Sequence, residues 1–354
     1  MPERTPDDRG RGTSGPVGGA IPFPRAGRIL VVDLLGGIGD LVMVLPAVHA
    51  LHRRHPGAEL RVLTHAPGDE LLRHDPAVSA VVRAERGRER AAVLAELDRW
   101  RPDLAVTTTR YDGIADAIEE LVPQSVTNLW RSPPADEPVS TRYLRILATE
   151  DVIHARDVDL LPSIVLTGAE RAEGEDVLGS EEQWPVVLVP SAGMAVKEWP
   201  HWRELATALA GRAFVVGEPA VLDAWRGGPA RTLPALSLRG LAALFAAVGR
   251  RGGVVVGPDT GPMRMAAAVG ARTVGIFGPT LAARYGLGPP GTDLQGLPGC
   301  THRRPTAITE QVCWWEARCP LSALGPACMA DVAPGRVLEL LPSRQLTAGS
   351  PGQK

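Results

Sequence analysis

The chain has 354 residues, too many for one ordinary domain and suited to two of about 150 residues, each with its own core. Acids and bases nearly cancel, giving a formal net charge of −2, so the basic excess that a nucleic-acid binder needs to displace counterions is absent. No stretch approaches the roughly 18 uninterrupted apolar residues of a membrane span, and a soluble chain acting on small molecules or carbohydrates is expected.

Residues 1–27 (MPERTPDDRGRGTSGPVGGAIPFPRAG) are rich in Gly, Pro and Arg and lack the apolar core of a signal peptide. They read as a disordered arm, and residues 343–354 as a disordered tail of similar character. Without an export signal the expected compartment is the reducing cytoplasm, where structural disulfides are disfavoured.

From Arg28 onward, short β-branched apolar runs alternate with amphipathic segments, the pattern of a parallel sheet covered by helices on both faces. RILVVDL, ELRVLTH, AVVRA, LAVTTT and SVTNLW are the expected strands. DLVMVLPAVHALHRRH and RERAAVLAELDRW are expected helices, the first kinked or starting late because Pro46 lies inside it. The pattern breaks at DVIHARDVDLLPSIVLTG, read as a crossover between domains. This segment contains Asp157-Val158-Asp159, an acid pair of a kind that can hold a metal. No strand end precedes it, which favours ordinary linker charges in solvent.

After Glu170 the alternation restarts, with PVVLVPS, AFVVGE, GGVVVGPD and RTVGIFG as strands and HWRELATALAG, SLRGLAALFAAVG and GPMRMAAAVG as helices. The expected fold class is therefore α/β, with two tandem Rossmann-like domains, 28–165 and 166–342. Between them lies a cleft lined by the carboxyl ends of both sets of strands, where such sheets bind ligands.

Three loops at expected strand ends carry candidate chemistry. Gly36-Gly37-Ile38-Gly39-Asp40 resembles a dinucleotide fingerprint but continues Leu41-Val42, so the third glycine of G-x-G-x-x-G is missing and a nicotinamide-dependent oxidoreductase is disfavoured. Gly257-Pro258-Asp259-Thr260-Gly261-Pro262 joins a buried strand to a small-residue helix. Asp259 or Thr260 can cap that helix, and Gly261 admits a ligand to the free backbone N–H groups, forming a diphosphate site; an ordinary capped turn is the competing reading. Lys197 in PSAGMAVKEWP faces the same cleft, where a lysine can neutralise a leaving phosphate; a surface lysine is the plainer alternative. Glu218 in VVGEPA stands where a carboxylate can accept hydrogen bonds from ribose hydroxyls.

Taken in order, GGIGDLVMVLPAVHALHRRHPGAEL, VPSAGMAVKEWP, GPDTGPMRMAAAVGARTVGIFGPT and CPLSALGPACMADVAPGRVLE resemble glycosyltransferase family 9, the ADP-heptose:lipopolysaccharide heptosyltransferases. The resemblance implies a GT-B fold, with the acceptor held by the first domain and the nucleotide sugar by the second. It implies inverting transfer of a sugar, heptose from an ADP-heptose donor, to a hydroxyl of a glycan or other acceptor, generally without a catalytic metal. By position it makes Asp40 the general base, Lys197 a phosphate contact and Glu218 a ribose contact. Asp259, Thr260, Gly261 and Pro262 become the diphosphate turn, and Gly36, Gly37 and Gly39 the acceptor-side loop. Arg264 stands where many members have histidine, so that side chain's role does not transfer; a permanently charged arginine can pair with a phosphate but not titrate. Alternatives are another nucleotide sugar used on a secondary metabolite or protein, and a non-catalytic nucleotide-sugar or metal-binding protein. A peripheral position at the inner membrane surface is compatible with the family.

All four cysteines, Cys300, Cys313, Cys319 and Cys328, fall in one short segment. Four thiolates complete a tetrahedral zinc or iron site, but the spacing lacks C-x-x-C, so scattered reduced thiols compete with a structural metal. Similar cysteine-rich tails occur in the family, some with iron. His302 and the Trp314-Trp315 pair are further candidates beside this cluster, the tryptophans for packing or sugar contact.

Overall fold

The computed structural model describes residues 25–131, 133–179 and 184–342. Most of the expected arm and all of the tail, 1–24 and 343–354, lie outside the described residues. The arm does not extend to residue 27, however. Ala26 is buried and donates its N–H to His55 Nδ1 at 3.0 Å, and the Gly27 carbonyl accepts from Glu59 N–H at 2.8 Å, so the chain joins the fold before Arg28.

The first sheet consists of β1 (Arg28–Asp33), β2 (Glu59–His65), β3 (Ala80–Ala84), β4 (Leu104–Thr107) and β5 (Gln124–Val126). They run parallel in the order β3-β2-β1-β4-β5. The helices of this half are α1 (Ile38–Arg54), α2 (Glu89–Trp100), α3 (Ile114–Leu121) and α4 (Val139–Thr149). The central strand β1 is buried from Ile29 to Asp33, as a parallel strand covered on both faces must be.

The second half begins with α5 (Gly168–Leu178) and β6 (Val186–Leu188), followed by α6 (Trp202–Ala208), β7 (Ala213–Val215), α7 (Pro219–Trp225), β8 (Arg231–Thr232) and α8 (Leu238–Arg250). Then come β9 (Val254–Pro258), α9 (Gly261–Ala268), β10 (Arg272–Phe277), α10 (Ala282–Tyr285), β11 (Thr292–Gln295), α11 (Ala327–Ala330) and α12 (Pro334–Leu338). This sheet is also parallel, in the order β11-β10-β9-β6-β7-β8.

Two local expectations change. Pro46 does not make α1 start late: the helix runs from Ile38 to Arg54 with the proline inside it. Residues Leu41 to Val48 are all buried, because α1 is enclosed by its own sheet, by α4 and by α9 of the other half, and that packing outweighs one lost N–H. In the crossover, Asp157 is buried and accepts from Arg53 Nη1 at 3.2 Å. That carboxylate is thereby occupied by an ion pair of the fold, rather than lying free in solvent.

The halves are joined by packing and by buried charge. α1 packs on α9 across the boundary. Within the second half, α5 packs on α8 with the Gly174 Cα directly over the Ala243 carbonyl, where a Cβ would stand 2.2 Å from the oxygen. Arg239, only 4% exposed, binds both oxygens of Glu170 in the second half and reaches the Glu70 and Leu71 carbonyls in the first.

A candidate active site between the two sheets

Each sheet has one point where neighbouring strands send their connections to opposite sides: between β1 and β4 in the first, and between β6 and β9 in the second. A crevice forms at the carboxyl ends of such strands. The GGIGD turn follows β1, the Lys197 loop follows β6 and the Asp259 turn follows β9. The topology therefore brings together three segments widely separated in sequence.

The first turns of α1 and α9 meet directly. A Cβ on Gly261 would lie 3.0 Å from Ile38 Cβ and 3.3 Å from Gly39 N, and one on Gly39 would lie 3.1 Å from Arg264 Cδ. Gly39 and Gly261 thus allow two helix N-termini from different halves to abut, which concentrates their partial positive charge at the cleft. This refines the expected role of Gly261, whose open side is occupied by Ile38 and Gly39. Gly36 adopts φ 97°, a left-handed turn suited to glycine, and its carbonyl accepts from Arg86 Nη2 at 2.9 Å.

Asp259 is the hub of the second half. Lys197 Nζ donates to Asp259 Oδ2 and to the Asp259 carbonyl, both at 3.0 Å, while Arg264 Nη2 donates to Oδ1 at 2.6 Å and to the Tyr285 carbonyl at 2.7 Å. Burial works to raise the Asp259 carboxyl; Lys197 and then Arg264 overcome it and bring it down to about 2. The carboxylate is thus committed to two cations and does not cap α9. Nor does Thr260: it is the N-cap residue, but its hydroxyl donates to the Pro258 carbonyl at 3.3 Å. The first backbone N–H groups of α9 consequently have no side-chain cap, with Pro262 in the first turn contributing none.

Asp40 lies in the first turn of α1 with its carboxylate folded over Gly37, where an added Cβ would come within 2.6 Å of Oδ2. Burial raises its pKa above the ordinary 3.8 against the opposing charges of Arg264 and Lys197. Residues not singled out in the sequence share this environment. Asp33, fully buried at the end of β1, accepts from Thr108 Oγ1 at 2.5 Å, and burial followed by the Asp40 charge lifts it to about 7. Its signal was an acid closing the otherwise apolar run RILVVD.

The other expected site residues divide. Trp314 is buried with Lys197 Nζ 5.4 Å from its ring centroid, whereas Trp315 is exposed. Glu218 begins α7 as an exposed N-cap residue and has no hydrogen bond or ion pair with Asp40, Lys197 or Asp259 among the described residues. The four cysteines are free thiols lining one small cavity together with His302 and Arg303. Burial pushes Cys328 up to about 12, and no group of three or more His, Cys, Asp or Glu side chains arranged to hold a metal ion is present among the described residues.

Residues 130–296 match the model of glycosyltransferase family 9 (heptosyltransferase). This stretch of the chain is thus similar to glycosyltransferase family 9. It is 28% identical over 288 residues to lipopolysaccharide heptosyltransferase 1 of Pseudomonas aeruginosa, covering 72% of this chain and 79% of that protein. Its fold matches that of the E. coli ADP-heptose lipopolysaccharide heptosyltransferase II, with a TM-score of 0.65, 20% identity, and coverage of 88% of this chain and 96% of the other. The iron-containing dodecameric glycosyltransferase TibC of enterotoxigenic E. coli gives a TM-score of 0.56 at 14% identity over 90% of this chain and 76% of its own. The two parallel sheets and their helices form a GT-B architecture, and these relationships support a glycosyltransferase. No helix among the described residues is long and apolar enough to cross a membrane.

Proposed function

We propose that this chain is a family 9 glycosyltransferase that transfers heptose from an ADP-heptose donor to an acceptor hydroxyl with inversion, in the cytoplasm or at the inner membrane surface, with Asp40 as general base. The observation carrying this reading is the placement of Asp40 on one half opposite Lys197, Asp259 and Arg264 on the other. Inversion requires a base on the acceptor side of the anomeric carbon and positive charge on the leaving-group side. Lys197 has three N–H donors, two of them on Asp259, which leaves the third for a diphosphate oxygen beside the uncapped turn of α9. Raised basicity at Asp40 suits removal of a hydroxyl proton during attack, and closure of the halves excludes water from the donor.

The charge on the departing diphosphate is met by Lys197 and the α9 N-terminus, which supports transfer without a catalytic divalent metal. The shared cavity of Cys300, Cys313, Cys319 and Cys328 supports a structural iron or zinc site once their sulfurs draw together. Metal analysis of the purified chain and of Cys319→Ser tests this, with stoichiometric metal lost in the variant as the expected result. Glu218 is assigned to the ribose by resemblance alone.

Thermal shift and slow donor hydrolysis with ADP-, GDP-, UDP- and TDP-sugars test the donor. Stabilisation by another nucleotide but not by ADP compounds would eliminate the heptosyl assignment. Asp40→Asn is expected to reduce transfer by about 10²- to 10⁴-fold while retaining ADP binding; transfer near the wild-type rate removes Asp40 as the base.

A further inference from the structure

Near the beginning of α4, where the first half meets α10 of the second, two guanidinium groups hold one carboxylate and a third, from α10, binds the chain just before it. Glu137 accepts from Arg142 Nη1 at 2.7 Å and from Arg145 through Nε at 2.7 Å and Nη2 at 3.1 Å. Arg284 approaches from the other half and donates Nη1 to the Pro134 carbonyl at 2.9 Å. Arg142 is 0% exposed and Arg284 2% exposed. Arg142 Nε and Nη2, and Arg284 Nε, have no hydrogen-bond partner among the described residues.

A guanidinium keeps its charge in a protein, and buried charges are ordinarily paired. Glu137 offsets one of these three cations, so the cluster carries an excess of positive charge, and three of its buried guanidinium nitrogens have no hydrogen-bond partner among the described residues. Burial pulls Arg142 below the usual guanidinium range against Glu137, and Arg145 and Arg284 act in the same direction as burial. Planar donor forks match the paired oxygens of a carboxylate or phosphate. The charges of Asp33, Asp40 and Arg284 all act on buried Tyr143, the residue following Arg142.

We propose that Arg142 and Arg284, one from each half, form an oxyanion site that takes a carboxylate or phosphate group separate from the donor's diphosphate. The site exists only where the halves meet, and an anion entering the cleft supplies the partner that their free N–H groups lack.

The test is a thermal-shift titration of the full chain with inorganic phosphate and with acetate at constant ionic strength, with and without saturating ADP. The expected result is saturable stabilisation that survives saturating ADP and is lost in Arg284→Met. A response to phosphate alone assigns the site to phosphate groups, and a response to acetate alone assigns it to carboxylates. Arg284→Lys, which retains the charge without the fork, should weaken the half-saturating concentration about tenfold, so the test stands if the methionine variant fails to fold. Phosphate stabilisation abolished by ADP, equal stabilisation in the Arg284 variants, or no response to either anion overturns the site. The Arg284 variants read this cluster whatever nucleotide the donor carries, because Arg284 takes no part in the proposed diphosphate site.

Discussion

Asp259→Asn removes the buried carboxylate on which Lys197 and Arg264 converge and leaves a side chain of nearly the same shape. The wild-type carboxyl is lowered from 3.8 to about 2, and its side chain is only 5% exposed, so solvent screening does little to discount the shift. At 1.36 kcal/mol per unit, this depression corresponds to roughly 2 to 3 kcal/mol of stability at pH 7. Because the folded-state pKa is the lower one, the contribution is fully present above pH 3.8 and is lost as pH falls through about 2. Linkage leaves roughly half of it at pH 3. Lys197 can swing its ammonium into water when Asp259 is neutralised, but Arg264, at 9% side-chain exposure, stays in the interior with a weakened partner. Urea unfolding followed by tryptophan fluorescence should therefore show a loss of about 2 to 4 kcal/mol at pH 7, with the gap to wild type roughly halved at pH 3. A loss under about 1 kcal/mol at pH 7, or a gap that does not narrow on acidification, would refute the reading of Asp259 as the charged hub.

If Asp40 is the base, the acidic limb of the kcat/KM profile lies above pH 3.8, since transfer needs the ionised carboxylate and burial raises its pKa. Arg264→Met removes the strongest charge opposing that rise, so the limb should move to higher pH; movement to lower pH contradicts the assignment. Gly37→Ala places a methyl group 2.6 Å from Asp40 Oδ2 in a backbone conformation that accepts a side chain, with φ −101°. Only the carboxylate must move, so steady-state assays should show transfer falling by about tenfold or more while urea unfolding changes by less than about 1 kcal/mol. Wild-type transfer in this variant would mean that the Asp40 position seen here is not the working one.

The sequence alone determined the parallel α/β class, the nine expected strands and the loops bearing Asp40, Lys197 and Asp259. Buried parallel strands are continuous apolar runs, and glycine-rich turns mark their carboxyl ends, so both signals are local. Some elements escaped that reading for equally local reasons. In VSTRYLRILAT, a buried arginine interrupts the apolar face of α4; in GAERAEGEDVL, α5 has little apolar surface and is fixed instead by the Thr167–Glu170 capping box and close packing on α8. β11, Thr292–Gln295, has a single buried residue and follows an edge register set by β10.

Only the tertiary structure decided what the charged residues do. Asp259 looked like a helix cap and is instead held between Lys197 and Arg264, and Gly261 looked open to a ligand but meets Ile38 and Gly39 of the other half. Asp40's protonation depends on burial created by two segments more than 200 residues apart, and the Arg142 and Arg284 cluster exists only across the boundary. Backbone preference and hydrophobic period act within a few residues and can be read along the chain. Desolvation and Coulomb interaction act through space between groups the topology brings together, and no local pattern of residues records them.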